Sequence, residues 1–151
     1  MALIMHRLYQ NQIYLFMKNA IKYGVVIALL SAAWIFIMHI TGHTPDNVID
    51  TNYSWQELSS VIIPFLGLHF GIKSFRKENG GELTFFEGVI EGIKIMIIGA
   101  VLAGAISFLY LSSFSSMLTV DYMERIFGAL VVGGLFTLVN SLLLMTTPKK
   151  L

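Results

Sequence analysis

The chain has no cysteine, which excludes a disulfide framework, a thiolate nucleophile and any cysteine-ligated metal site. Charge is scarce as well. Asp, Glu, Lys and Arg make up 13% of its 151 residues, about half the share of an ordinary soluble domain, and too few to clothe a core in a polar surface. Neither sign dominates: ten basic and nine acidic residues leave a formal net charge of +1, which removes the bulk electrostatic case for nucleic acid as a partner. There is no Walker loop, no Gly-x-Ser-x-Gly, no His-Glu-x-x-His and no dinucleotide fingerprint, the spacings that would announce phosphate, acyl, zinc or cofactor chemistry. Low-complexity linkers and internal repeats are absent, and the loops between apolar runs are too short to hold a soluble catalytic domain. The expectation is a protein that is not an enzyme and carries no cofactor and no metal.

What the chain has is apolar sequence. Hydrophobic residues make up 56% of it and the mean hydropathy is +0.73, values that fit the bilayer as solvent. A helix needs about 20 mainly apolar residues to cross the hydrocarbon, and four segments approach that: 23–40, 55–72, 86–111 and 126–145. The second is the shortest and contains Pro64, which is expected to kink it. None shows the strict alternation of a barrel strand, so helices satisfy the backbone in lipid. The predicted fold is all-α, an integral bundle of four transmembrane helices over 23–146, preceded by a cytoplasmic or interfacial segment 1–22 and followed by a tail 147–151.

Lys and Arg outside these runs give the direction. Arg7, Lys18 and Lys22, then Lys73, Arg76 and Lys77 with Lys94 just beyond them at the start of the third run, then Lys149 and Lys150 flank one side, whereas the other side holds Arg125 alone. By the positive-inside rule both termini and the middle loop are cytoplasmic. Ser31-Ala32-Ala33 resembles a signal cleavage site, but the apolar run continues through Trp34 to Ile37, so the first span is expected to be retained. The residues before Phe16 show no clear repeat and admit two readings, an interfacial helix or an upstream start before Met17. Trp55, Tyr53 and Tyr122 suit an outer aromatic belt.

The densest polar stretch is "SFRKENGGELTFFEGVIEGIK", Ser74 to Lys94. Asn79-Gly80-Gly81 is a turn, and Thr84 precedes Glu87 by the three residues of a capping box. Glu91 and Lys94 lie deeper. The simpler reading places them in the headgroup zone, with Lys94 snorkelling outward. The sharper one makes Glu91 a carboxylate facing the bundle with His69 at similar depth. Glu87, Glu91, Lys94, His69 and Asn140 are therefore the candidate polar site. Glu87 and Glu91 with a distant His could ligate a divalent metal, but no Glu-x-x-His motif accompanies them. Asn140 fits an interhelical hydrogen bond, and His39 and His43 fit interfacial surface positions. Gly88, Gly92, Gly99 and Ala103 on the third span, and Ala129 and Gly133 on the fourth, form small-residue stripes for close helix packing, within the chain or between two copies.

Two stretches, "MKNAIKYGVVIALLSAAWIFIMHITG" from Met17 to Gly42 and "HFGIKSFRKENGGELTFFEGVIEGI" from His69 to Ile93, resemble the domain of unknown function 4199 family. The resemblance implies a small bacterial inner-membrane protein, of a kind found mostly in Bacteroidota, and no established activity. The partners expected are the lipid bilayer and a second copy or another membrane protein. The function expected is that of an accessory or structural subunit. The alternative is a small oligomeric transporter or channel using Glu91, Lys94, His69 and Asn140.

Overall fold

A computed structural model describes residues 2–41, 60–114 and 122–146 of the chain. Four helices carry them: α1 (Ala2–Ile40), α2 (Ile62–Glu78), α3 (Phe85–Phe114) and α4 (Tyr122–Leu144). The all-helical expectation holds for these residues. Three helices contain stretches long and apolar enough to cross a membrane, Met17–Ile40, Phe85–Tyr110 and Ile126–Leu144. α2 is not among them, and residues 55–59 of the expected second span lie outside the described residues. The described helix has 17 residues and carries Lys73, Arg76, Lys77 and Glu78 in its last turns. Its apolar part, 62–72, reaches only about 16 Å at 1.5 Å per residue.

Pro64 lies just inside the start of α2, and the helical run is interrupted in the turn before it, where proline has no N–H to offer the Ser60 carbonyl. Ser60 is helical, Val61 forms a turn and the helix begins again at Ile62. At the other end α2 runs six residues past Ile72. Lysine and arginine are good helix formers, and the chain stops only at Asn79-Gly80-Gly81, where Gly80 (φ 73°) and Gly81 (φ 86°) adopt the left-handed backbone that glycine takes without penalty.

Residue 22, after which the membrane domain is expected to begin, lies within a helix. α1 is continuous through it, and Asn19 and Ala20 are buried inside the bundle. His43, Tyr53 and Trp55, and the remaining residues of 42–59, lie outside the described residues.

α2 and α3 each pack against all three other helices, and α1 and α4 flank them. Apolar contacts fill two centres. One is Ala20, Ile27, Leu68 and Ile95 with Tyr23, Met96, Ile98 and Phe136 against them; the other is Ile72, Leu83 and Leu144 with Phe75. Glycine sets the distances between axes. Gly24 on α1 meets the backbone of Gly99 on α3, whereas Gly88 and Gly92 on α3 face Ser141 and Thr137 on α4, and Gly133 faces Met96. The predicted stripe on the third helix is thus divided between two neighbours. Ala103 is half-buried, and Ala129 is exposed rather than packed.

The end of the bundle that holds the 79–84 hairpin is tied by hydrogen bonds to the end of α4. Thr146 N–H donates to the Leu83 carbonyl (2.9 Å), and Leu83 N–H donates to Thr146 Oγ1 (2.8 Å). The Arg76 guanidinium donates to the carbonyls of Gly81 (3.0 Å) and Leu144 (3.3 Å), covering acceptors that the last turn of α4 leaves open. The capping box forms as the spacing predicts: Thr84 N–H and hydroxyl both donate to Glu87 Oε2 (2.9 Å each), and Glu87 N–H donates back to Thr84 Oγ1 (3.3 Å). Thr84→Ala is expected to cost about 1 kcal/mol, a cap's usual contribution, read as a small drop in unfolding midpoint with the fold intact.

Candidate functional site

Glu91 begins the site. It lies six residues into α3, about 9 Å along the axis. Its level is that of the headgroup reading, but its face is not: the residue is 0% exposed. Gly88, Gly92 and Ile95, its neighbours on the packing face, explain this, because the stripe that brings α3 close to other helices carries the carboxylate inward with it.

A carboxylate in such a place needs partners. Asn19 on α1 gives one: Nδ2 donates to Glu91 Oε1 at 2.7 Å and to the Gly71 carbonyl of α2 at 3.0 Å. Both neighbours are acceptors, so the amide orientation is fixed by the bonds it makes. Lys94, one turn on, forms an ion pair with Glu91 Oε2. The Lys94 side chain is 13% exposed against 1% for Glu91, and its ammonium lies 5.7 Å from the centroid of the Phe75 ring. One anion, one cation and one amide therefore join α1, α2 and α3 at a single level, with the charges cancelled.

The second pair lies between α2 and α4. His69 Nδ1 and Asn140 Oδ1 are 2.9 Å apart, and Asn140 Nδ2 donates to the Phe136 carbonyl at 2.9 Å. The second bond assigns Oδ1 as an acceptor, so the His69 proton on that side sits on Nδ1. Asn140 is fully buried. Below it, Thr137 and Ser141 return their hydroxyls to carbonyls four residues back on α4, which satisfies them without a partner helix. Phe65 and Phe136 stack edge to face across the same interface.

The five predicted polar residues are therefore not one cluster. Glu91 and Lys94 pair, His69 and Asn140 pair, and Glu87 belongs to the cap at the start of α3. Glu91 is met by an amide and an ammonium rather than by a second acid or His69, and no group of three metal-ligating side chains occurs among the described residues. Three contributors escaped the sequence reading. Asn19 was placed in a flank, although it opens an i, i+4, i+8 stripe with Tyr23 and Ile27. Arg76 was read as a surface cation only. His39 was read as a surface residue, yet its Nδ1 lies 2.7 Å from the Tyr110 hydroxyl and the rings meet edge to face, joining α1 to α3 at the far end.

Comparison with known proteins adds one match. The family model described as "Protein of unknown function (DUF4199)" matches residues 22–127. No curated protein and no solved structure matches the chain.

Proposed function

The chain belongs to the DUF4199 family of proteins of unknown function, and from that premise we propose that it is a non-enzymatic accessory or structural subunit of a bacterial inner membrane, packing with a second copy or with another membrane protein. One observation carries this reading. Glu91, the charge that would most readily mark a pathway or a reaction centre, is wholly enclosed and bound by side chains of α1 and α3. Asn140 is likewise bound to His69. Interior polarity here is used to hold helix to helix. The outer faces of α1, α3 and α4 expose leucine, isoleucine, valine and phenylalanine in quantity, as surfaces that meet lipid or another membrane protein do.

In this reading the chain crosses four times, with 55–72 as the second crossing and both termini cytoplasmic. Support comes from the burial of Gly67, Leu68, Gly71 and Ile72 among the other helices and from the distribution of charge. Lys73, Arg76 and Lys77 lie toward the end where the hairpin meets Thr146, and Asn19, between Lys18 and Lys22, is bound to Gly71 and Glu91 in the same half. The second reading, an oligomeric transporter or channel, is favoured by one fact: Glu91, Lys94, His69 and Asn140 all lie in that half of the bundle.

Native mass spectrometry of the protein carried from its own membrane into nanodiscs separates the two. A homodimer without ion flux, or a complex containing a second protein mass, is expected. A homo-oligomer of defined size with an ion flux that Glu91→Gln abolishes would overturn the accessory reading.

A further inference from the structure

Asn19 leaves one atom unaccounted for. Nδ2 places its two hydrogens on Gly71 and Glu91, while Oδ1 is buried with no donor among the described residues. The residue is 5% exposed, so bulk water does not serve it. A buried carbonyl oxygen in this position calls for a donor or a cation. Glu91, bonded to the same amide through Oε1, has its other oxygen, Oε2, paired with the Lys94 ammonium. Of the two charges Lys94 is the one with a way out: it is the more exposed, and its ammonium already lies beside the Phe75 ring at the edge of the cluster.

We propose that this cluster is a binding site for a small hard monovalent cation of the sodium type, in which the Lys94 ammonium is the tethered occupant. Sodium enters against Asn19 Oδ1, Glu91 Oε2 and the second lone pair of the Gly71 carbonyl as Lys94 withdraws toward the headgroups. The donor set is an amide oxygen, a carboxylate oxygen and a peptide oxygen, the ligands that suit hard cations. Charge selects valence. One positive charge leaves and one enters, so the interior stays neutral, whereas a divalent ion on a single carboxylate would strand a net charge in a low dielectric. The ligands come from α1, α2 and α3, so the ion takes over the tie that Lys94 makes. This goes beyond the structural reading: the tie becomes responsive to ions.

The test uses the purified full chain in nanodiscs at pH 8, with thermal unfolding followed in sodium and in choline chloride at matched ionic strength. Lys94→Gln removes the tethered occupant. Its midpoint is expected to rise saturably with sodium, by about 5 °C at saturation, and to ignore choline. The sodium-dependent rise is expected to vanish in Asn19→Ala/Lys94→Gln and in Glu91→Gln/Lys94→Gln. A Lys94→Gln protein that responds equally to both salts, or one stabilised only by lowering the pH, would overturn the proposal, the latter by making a proton the countercharge. Should Lys94→Gln fail to fold, amine labelling of wild-type Lys94, read by peptide mass spectrometry, decides. Severalfold faster labelling in sodium than in choline is expected, and equal labelling overturns it.

Discussion

Lys94→Gln in sodium-free buffer is expected to destabilise the bundle by about 3–5 kcal/mol, the cost of leaving one member of a buried ion pair without the other. Glu91→Gln is expected to cost far less, about 1 kcal/mol, a single interior hydrogen bond's worth. The asymmetry follows from exposure. Without Lys94, the carboxylate of Glu91 stays at 0% exposure and keeps only the Asn19 amide. Without the Glu91 charge, the 13%-exposed ammonium of Lys94 withdraws to the headgroups, and the new amide oxygen still accepts from Asn19 Nδ2. The double variant Glu91→Gln/Lys94→Gln is expected to recover most of the loss suffered by Lys94→Gln alone, because it leaves no charge inside. Reversible unfolding of the four proteins gives the cycle. Equal single effects, or a double effect equal to their sum, would mean that the two residues do not meet in the interior.

The second large effect concerns glycine, and its sign changes from site to site. A Cβ on Gly24 would lie 2.7 Å from Ile98 Cγ2 and 3.1 Å from the Gly99 backbone nitrogen. The side chain can move a little, but the helix backbone cannot. Gly24→Ala is therefore expected to destabilise by about 1–3 kcal/mol, as overpacking does, and Gly24→Leu to separate α1 from α3. Gly92→Ala meets Thr137 Cγ2 at 2.5 Å and Ile72 Cδ1 at 3.2 Å and is expected to behave alike. Gly128 and Gly134 have nothing within 4 Å of such an atom. There alanine's better helix propensity is unopposed, and each change is expected to be neutral or stabilising by up to about 1 kcal/mol. Unfolding midpoints of the four alanine variants check the prediction. A uniform response would show that helix propensity, not close approach, governs these positions.

The parts of this molecule written in local signals were legible in the sequence. The apolar lengths of α1, α3 and α4, the Gly80-Gly81 turn and the Thr84–Glu87 cap all depend on neighbours in the chain, and all are found as expected. The apolar run of α2 ends at Ile72, but the helix continues to Glu78, just before the Asn79-Gly80-Gly81 turn. Lys73, Arg76 and Lys77 end an apolar run without ending a helix. Glu91 was legible as a polar residue on a packing stripe, but its depth and its facing direction are separate quantities. The sequence set the depth near the headgroups, while the glycines beside Glu91 turned it inward. Asn19 was lost for a related reason: the first span was drawn from where apolar sequence begins, and an asparagine at the edge of that run reads as a flank. Its partners, Glu91 and the Gly71 carbonyl, are 72 and 52 residues away, and no local pattern announces them. The His69–Asn140 bond, across 71 residues, was open to reasoning only as a type of interaction, not as a pair.

The enclosed ion pair is the claim on which the rest depends, and solid-state NMR in lipid bilayers tests it directly. With the Lys94 side-chain nitrogen and the Glu91 carboxyl carbon isotopically labelled, a strong dipolar coupling is expected, as for an ion pair whose N···O separation is under about 4 Å, together with slow exchange of the Lys94 ammonium protons with water. No coupling, with fast exchange, would put Glu91 and Lys94 in the headgroup zone as independent charges and contradict the account.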